Sequence, residues 1–319
     1  TQVTLSSGEI VLNKNLTIQG SGQRIDSNNT SRLFRVDAGV SVAMSDLTLA
    51  RGNGVSPVQS GQGSAVLSLG SLSMDRVTVR ENGPSAVRIG GACSVNGSAE
   101  FLDLRNSLFT SNGDAALFVN CGVAIVRNST FTGTAAAGNP AVAQNFGRTL
   151  LIHSTVAGNA GRGIGVSTYA YATVVANNAA GDLFSSGIYL SGGSNLYGTL
   201  TGSTIRGVTD GNVSNVAAGL APLGSYGGST DTLALLPGSV AINGVVNQPE
   251  VQLIVRDETD TASYTLTFNG QTTAPLTSPN EATLQSALEA LPSIGAGNVD
   301  VIGTGSGFQW SGAGDQSHT

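Results

Sequence analysis

A short pattern recurs along the chain, and it constrains the fold more than any other feature of the sequence. Its copies begin at residues 44, 74, 104, 126, 151 and 169, so successive starts are 30, 30, 22, 25 and 18 residues apart. The first and sixth positions of a copy are apolar, the fourth is usually small, and most copies end on Asn. Repetition at a period of roughly 20–50 residues indicates stacked units that bury their apolar faces against each other.

Two positions of the repeat predict rows of stacked side chains inside a narrow core. A small residue fits where the chain turns, and an Asn amide can satisfy buried backbone groups of the neighbouring units. The predicted small row consists of Val77, Ser107, Ser129, Ser154 and Ala172. The predicted Asn row consists of Asn82, Asn112, Asn159 and Asn177.

A second short apolar strand follows each copy, and Gly or Asn separates the two strands. Residues 1–246 lack helical periodicity, and 44 of the 319 residues are Gly. Short strands with glycine at the corners of every turn indicate an all-β solenoid, the parallel β-helix. A β-sandwich is the alternative, but it does not repeat a coil at this spacing. Because solenoid ends need caps, we expect residues 1–40 to form the first cap.

Composition and charge exclude several classes of protein. A disordered chain would be less hydrophobic than 40% and more charged than 11%. The net charge of −6 argues against nucleic-acid binding, and no run of about 18 apolar residues suits a membrane span. From residue 249 onward one Arg opposes eight acids (1 − 8 = −7), whereas residues 1–248 carry 13 − 12 = +1. This shift predicts a β-helix at 1–246 and a small separate unit at 250–319.

The small unit has its own pattern of elements. Residues 251–255 and 264–268 alternate as strands, and 299–302 form another. Ser278, Pro279 and Glu281 are typical of a helix start, with Ser278 as the N-cap. The sequence therefore predicts a β-β-α-β module of the α+β class.

Two stretches resemble bacterial surface proteins. Residues 220–244 (LAPLGSYGGSTDTLALLPGSVAING) resemble the end of secreted β-helix proteins of the choice-of-anchor type, in the pectin-lyase-like superfamily. The match departs at Val240, where that family has Pro, and at Asn243, where it has Asp. This resemblance implies a right-handed parallel β-helix, export and display at the cell surface or outside the cell, but no particular activity.

The small unit resembles repeat modules of very large bacterial surface proteins, on the segments YTLTFNGQTTAP and ATLQSALEAL. Such modules continue with one more strand, and here a polar tail follows Phe308 and Trp310. An incomplete sheet would leave an edge that another chain can fill. The candidate filler is the segment Gln2, Val3, Thr4 and Leu5, which the other interpretation assigns to the first coil.

The aligned copies also predict a polar strip on an outer face. The strip contains Asp75, Arg105, Arg127 and His153, with Arg76, Asn106 and Asn128 beside them. It could bind carbohydrate or act as a lyase. We favour a solvated face in which Asp75 and Arg105 form a surface ion pair and His153 is structural, because no acid pair recurs in adjacent coils.

Two further groups of residues are candidates for chemistry. Asp257, Glu258 and Asp260 could bind calcium, although an acidic turn is the simpler interpretation, and no cofactor is implied. Cys93 and Cys121 follow the second strand of consecutive copies. Stacked coils would bring them within disulfide reach, and export would favour oxidation, so we predict a Cys93–Cys121 bridge over two buried thiols.

These observations favour an exported, non-enzymatic structural protein that associates with copies of itself end to end, as a filament or matrix subunit. The alternative is a carbohydrate-binding adhesin or a polysaccharide lyase or hydrolase on the same fold. Aromatic residues are 5% of the chain, which weakens that alternative because sugar sites favour aromatic platforms.

Overall fold

A computed structural model describes residues 1–91, 100–184, 187–244, 249–255, 262–277, 279–303 and 307–313, and for 249–255, 300, 302–303 and 307–313 it describes the backbone alone. The strands up to residue 214 are β1 (Gln2–Thr4), β2 (Ile10–Leu12), β3 (Leu16–Asp26), β4 (Phe34–Val36), β5 (Ser41–Ala50), β6 (Val66–Ser68), β7 (Ser71–Asp75), β8 (Thr78–Arg80), β9 (Val87–Ile89), β10 (Phe101–Arg105), β11 (Leu108–Thr110), β12 (Leu117–Val119), β13 (Val123–Arg127), β14 (Thr130–Thr132), β15 (Val142–Gln144), β16 (Arg148–Ile152), β17 (Thr155–Ala157), β18 (Thr168–Tyr171), β19 (Val174–Ala176), β20 (Ile188–Gly192), β21 (Leu196–Tyr197), β22 (Thr204–Val208) and β23 (Val213–Ser214).

These strands stack into two parallel sheets. Sheet A has 17 strands, and sheet B has six strands in the order β15-β12-β9-β6-β4-β2. A coil usually adds two strands to sheet A, one on each side of a corner, and the early coils also add one to sheet B. The predicted all-β, right-handed parallel β-helix is confirmed.

The first 40 residues already belong to the coils. β1 pairs in parallel with β3, β2 with β4, and β3 with β5. Residues 1–40 therefore build the first coils of the β-helix, and a capping role for them stays a prediction. The segment Gln2, Val3, Thr4 and Leu5 is the first coil strand and its exit, as the second of the two interpretations expected.

The register confirms most of the sequence alignment. Met74 pairs with Leu104, Leu104 with Val126, and Val126 with Leu151, so the first positions stack inside the core. The last copy was misaligned by one residue, because Leu151 pairs with Ala170 and not with Tyr169.

Tyr169 instead faces outward. It is 1% exposed and forms a cluster on the outer face of sheet A with Leu150, Tyr171 and Leu190. A Cβ atom at Gly192 would lie 1.8 Å from the Tyr169 hydroxyl, so Gly192 is required for this close packing. A one-residue shift in register moves every side chain to the opposite face of the strand. The misaligned copy therefore placed Tyr169 in the core, where the structure has Ala170.

The predicted small row is a hydrogen-bonded ladder. At the corner of sheet A, a side-chain oxygen of each coil accepts a hydrogen bond from the backbone N–H of the equivalent residue in the preceding coil. The successive acceptors are Ser107, Ser129, Ser154, Thr173, Asn195 and Asn212, at 2.9–3.4 Å. Thr173 takes the place predicted for Ala172, as the one-residue misalignment requires.

The predicted Asn row is a second ladder at the next corner. Asn112 Oδ1 accepts from the backbone N–H of Asn82 and from its Nδ2, both at 3.1 Å. Asn159 bonds Asn178 in the same way, at 3.2 and 2.8 Å. Asn178 therefore replaces the predicted Asn177. Both ladders satisfy N–H groups that the narrow core hides from water.

The segment that resembles the choice-of-anchor signature leaves the coils after β23. It forms an antiparallel hairpin of β24 (Leu220–Gly224) and β25 (Thr232–Leu235). Thr230 Oγ1 donates to the Asn106 carbonyl at 3.1 Å, and Thr232 Oγ1 lies 2.8 Å from Thr130 Oγ1. The hairpin thus folds back over the outside of earlier coils.

The remaining elements are β26 (Pro249–Val255), β27 (Thr267–Phe268), β28 (Gln271–Thr272), α1 (Glu281–Glu289), β29 (Val299–Gly303) and β30 (Gly307–Ala313). β26, β30 and β29 form an antiparallel sheet with β30 in the middle. The helix packs Leu284 and Leu288 against Val299 and Val301.

Three expectations for this unit are corrected. The strand thought to be missing is β30, which contains Phe308 and Trp310, so the three-stranded sheet has no vacant central position. The N-cap is Asn280, whose side chain accepts from the Thr283 N–H at 2.8 Å, and not Ser278. Between 264 and 268 the strand is limited to β27 and an isolated bridge at Tyr264.

Replacing a ladder residue tests the importance of the corners. Asn112 is fully buried, and Asn112→Ala removes the acceptor of the Asn82 backbone N–H, one of three acceptors of Asn82 Nδ2 and a donor to the Val79 carbonyl. We expect a loss of about 3 kcal/mol in the free energy of unfolding, measured by urea denaturation. The control is Asn139→Ala, because Asn139 is exposed and makes a single bond to Asp114. Equal effects of the two variants would contradict a structural role for the ladder.

Candidate functional site

The predicted strip follows the corner of sheet A, where the backbone is left-handed. The φ angles there lie between 46° and 56° at Asp46, Arg76, Asn106, Asn128, His153, Ala172 and Ser194. Asn and Asp tolerate this conformation better than other residues with side chains, which explains their frequency in the row. The strip is therefore a row of outward-facing corner residues. From Asn106 onward, each one comes directly before a residue of the first ladder in the sequence.

The charges of the strip are paired with each other. Arg76 holds Asp46 with bonds of 2.7 and 2.8 Å and also contacts Asp75. Arg105 and Arg127 share Asp103, at 2.8 and 3.1 Å. The predicted ion pair of Asp75 with Arg105 is therefore wrong, because each residue has a nearer partner.

Amides extend this network across the coils. Asn106 Nδ2 donates to Asp75 at 2.8 Å, and Asn128 Nδ2 donates to Asn106 at 2.7 Å. Hydrogen bonds and charges from Asp103 raise the pKa of Arg105, and a hydrogen bond from Arg76 lowers the pKa of Asp46. Both shifts favour the charged forms, so the strip holds its residues as ion pairs and not as a proton donor and acceptor.

His153 lies apart from the acids of the strip. Its ring centroid is 5.5 Å from that of Tyr171. The residue is solvent-exposed, and partial desolvation lowers the pKa of His153. No described carboxylate or hydroxyl forms a hydrogen bond with it, which leaves His153 without the partners of a nucleophilic site.

A cavity of about 330 Å³ lies between this corner and the hairpin. His153, Ala172 and Val174 line the side formed by the coils, and Leu233 and Leu235 line the opposite side. Its walls are mainly apolar, so the cavity itself brings no acid close to His153.

A wider groove of about 550 Å³ crosses the outer face of sheet A near the first coils. Small polar residues form part of its floor, including Thr17, Ser41 and Ser73. Phe101, which is half-buried, and Asp103 lie at one end. This groove joins hydroxyl groups, an aromatic ring and a carboxylate on one surface.

Among the described strands, those of the first coil lie at the edge of each sheet. β1 pairs with β3 and β2 with β4, and no other described strand pairs with β1 or β2. Val3 is 45% exposed, and Ile10 and Val11 are each 40% exposed. Such an edge offers unpaired backbone groups and apolar side chains to another strand.

Comparison with known proteins agrees with this architecture. A family model described as a right-handed beta helix region matches residues 60–225, which are 166 of the 319 residues. The chain belongs to the right-handed beta helix family. Comparisons of this β-helix with curated proteins and with solved structures found no match.

Of the two cysteines of the β-helix, Cys121 is described and Cys93 lies outside the described residues. Cys121 is 1% exposed, and its sulfur is 3.8 Å from the carbonyl oxygen of Gly91. No free cysteine occurs in the part of the chain that the structure describes. The bridge between Cys93 and Cys121 stays a prediction.

Other candidate residues also lie outside the described part. Asp257, Glu258 and Asp260 lie outside the described residues, and the side chains of Phe308 and Trp310 are not described. Among the described residues, no three His, Cys, Asp or Glu side chains gather as they would around a metal ion. No described helix is long and apolar enough to cross a membrane.

Sequence reasoning missed two arginines of the β-helix. Arg32 is fully buried, pairs with Glu9 at 2.7 Å and donates to four carbonyls of the loop 55–63. Arg88 is 9% exposed and lies over Phe118. The signal for Arg88 was its position between Val87 and Ile89, since alternation along a strand places it outside.

The cysteine prediction can be tested by intact-mass measurement after alkylation with and without reductant. We expect no alkylation of the unreduced β-helix, because a bridge protects both sulfurs, and two alkyl groups after reduction under denaturing conditions. Modification of two thiols in the unreduced, denatured chain would defeat the prediction. A Cys121→Ser variant serves as the control, since Cys93 should then react without reductant.

Proposed function

We propose that this chain is an exported, non-enzymatic structural protein of the cell surface or extracellular matrix, built from a β-helix at 1–246 and a small unit at 250–319. Copies associate end to end through the first coil. The observation that carries the proposal is the open edge of β1 and β2 with its exposed Val3, Ile10 and Val11.

The edge suits association because a strand can add to each sheet there. Backbone N–H and C=O groups supply the hydrogen bonds, and the apolar side chains supply buried area. Leu5, Leu16, Ile18 and Ile25 pack against the core behind the edge and are only partly buried. A second copy would bury them further.

The outer strip supports a structural role over catalysis. Its acids Asp46, Asp75 and Asp103 are engaged by arginines of the same strip. A glycosidase or lyase needs carboxylates or a base that are free to act on substrate. Paired side chains on a repetitive face instead keep the charge of neighbouring coils balanced.

Lysine on the edge tests the proposal. The double variant Val3→Lys/Val11→Lys places charges on both open strands, where lysine blocks strand addition. We expect the 319-residue protein to form species larger than 32.0 kDa in light scattering and the variant to associate at least 10-fold more weakly. The control is Val166→Lys, because Val166 is 42% exposed but lies away from the first coil.

Electron microscopy distinguishes the geometries of association. A head-to-tail contact that does not close gives filaments, whereas a contact between two first coils gives closed dimers. A protein that stays monomeric at all concentrations, or a double variant that associates like the unmodified chain, would contradict the proposal.

The groove near Phe101 favours a second candidate function, a carbohydrate-binding adhesin. Hydroxyl groups of Ser41 and Ser73 and the carboxylate of Asp103 could bond sugar hydroxyls, with the Phe101 ring as a platform. The groove supports binding more than cleavage, because Asp103 is held by Arg105 and Arg127.

A glycan array tests this second candidate. If it is right, the protein binds a polysaccharide, and Phe101→Ala weakens binding at least 10-fold by removing the platform. The matched control is Phe146→Ala, since Phe146 is 80% exposed and does not line the groove. Absence of binding to any glycan, or equal binding by both variants, would exclude this function.

A further inference from the structure

Arg88 is a buried charge on the outer face of sheet B. In the register of that sheet it lies between Leu67 of β6 and Phe118 of β12. The residue is 9% exposed, and its guanidinium carbon lies 4.6 Å from the centre of the Phe118 ring.

Apart from the Phe118 ring, no described group compensates this charge. Arg88 forms no salt bridge with a described acid, and neither its Nε nor its Nη atoms donate to a described acceptor. The Nε atom of Arg88 is buried and has no hydrogen-bond acceptor among the described residues. Desolvation lowers the pKa of Arg88, and no nearby acid opposes that shift. A guanidinium carries five N–H donors, and the ring contact with Phe118 satisfies none of them with an oxygen acceptor.

The other arginine of the same row shows the contrast. Arg35 of β4 lies two strands from Arg88 and binds Asp37 at 2.9 Å and Glu9 at 3.4 Å. The outer face of sheet B therefore satisfies one arginine with carboxylates and leaves the next one without any in the described chain.

The surroundings of Arg88 are held in place. Arg32 fixes the loop 55–63 through bonds of 2.8–3.1 Å to its carbonyl groups. Gln59 of that loop packs on Gly91, where an added Cβ would lie 2.5 Å from Gln59 Nε2. The Gln59 amide therefore supplies a second polar group close to the strand that carries Arg88.

The nearest acids in the sequence, Glu81 and Glu100, form no described salt bridge with Arg88, and Glu81 is paired with Arg24 and Arg80. Residues 55–63 (VSPVQSGQG) and 92–99 (ACSVNGSA) contain neither Asp nor Glu. An acid that neutralises Arg88 would have to come from elsewhere.

We propose that Arg88 is an anion-binding site that takes a small oxyanion group, a sulfate, phosphate or carboxylate. The planar guanidinium fork matches two oxygens of such a group, and the low polarity around Phe118 strengthens the contact. The site stands apart from the first coil, so it is independent of the proposed self-association.

Isothermal titration calorimetry with inorganic sulfate and with inorganic phosphate tests the site, at constant ionic strength set by chloride. We expect one anion per chain and at least 10-fold weaker binding by Arg88→Met, which keeps an apolar contact with Phe118. At ten times the dissociation constant, the anion should raise the folding equilibrium constant about eleven-fold, measured by urea denaturation. Dextran sulfate, compared with neutral dextran, shows whether a polymer-borne group binds better than the free ion.

Two further variants keep the test decisive. Arg105→Met removes an arginine of sheet A that is paired with Asp103, and it should bind sulfate like the unmodified chain. Arg88→Lys keeps the charge but loses the fork, so binding should weaken several-fold even if Arg88→Met does not fold. The proposal is overturned if the unmodified chain binds none of the three probes, or if both Arg88 variants bind as it does.

Discussion

The hydrogen bond from a corner N–H to a side chain of the next coil is the contact on which the rest of the structure depends. A coil this narrow must turn inside its own core, where water cannot reach the backbone. Ser107, Ser129 and Ser154 meet this requirement at one corner, and Asn112 and Asn159 at the other. Because each acceptor belongs to the following coil, no coil is satisfied alone, and stability passes between nearest neighbours.

The Asn ladder also shows how such a row can end. Asn178 donates its backbone N–H and its Nδ2 to Asp182 Oδ1, and the Thr199 N–H donates to Oδ2. A carboxylate accepts at both oxygens and returns no donor, so the row needs no further coil. Burial raises the pKa of Asp182 although the bonds from Asn178 and Thr199 oppose it. The ladder thus ends on an acid that is partly stabilised by the donors it collects.

The sequence predicted the coils well where the repeat was long and failed where it shortened. Between Met74 and Leu151 the alignment matched the register, since apolar and small positions agreed at every copy. In the last copy, aromatic Tyr169 was taken for the inward residue, whereas Ala170 fills that place and Tyr169 packs outside. Hydrophobicity alone cannot separate the two faces of a strand that is buried on both.

The contacts of the candidate site were harder to predict because they depend on competition among neighbours. Asp75 and Arg105 are adjacent in register, as the sequence indicated. Arg76 and Asn106 nevertheless bind the carboxylate of Asp75. Arg105 instead forms its salt bridge with Asp103, which lies on the same strand. The hairpin could not be foreseen either, since its docking on Asn106 joins residues 124 positions apart.

Most buried charged side chains in the described chain are paired with an opposite charge or hydrogen-bonded. Asp26, which is fully buried, receives Arg24 and Arg51 at 2.8 Å each and the Asn28 N–H at 2.7 Å. Arg32 likewise forms a salt bridge with Glu9 and donates hydrogen bonds to carbonyl groups of the loop 55–63. Desolvating an ion without such partners is unfavourable, so compensation is the expected state. Against this background the aromatic contact of Arg88 is an incomplete environment, and an external anion would complete it in the way that Glu9 completes Arg32.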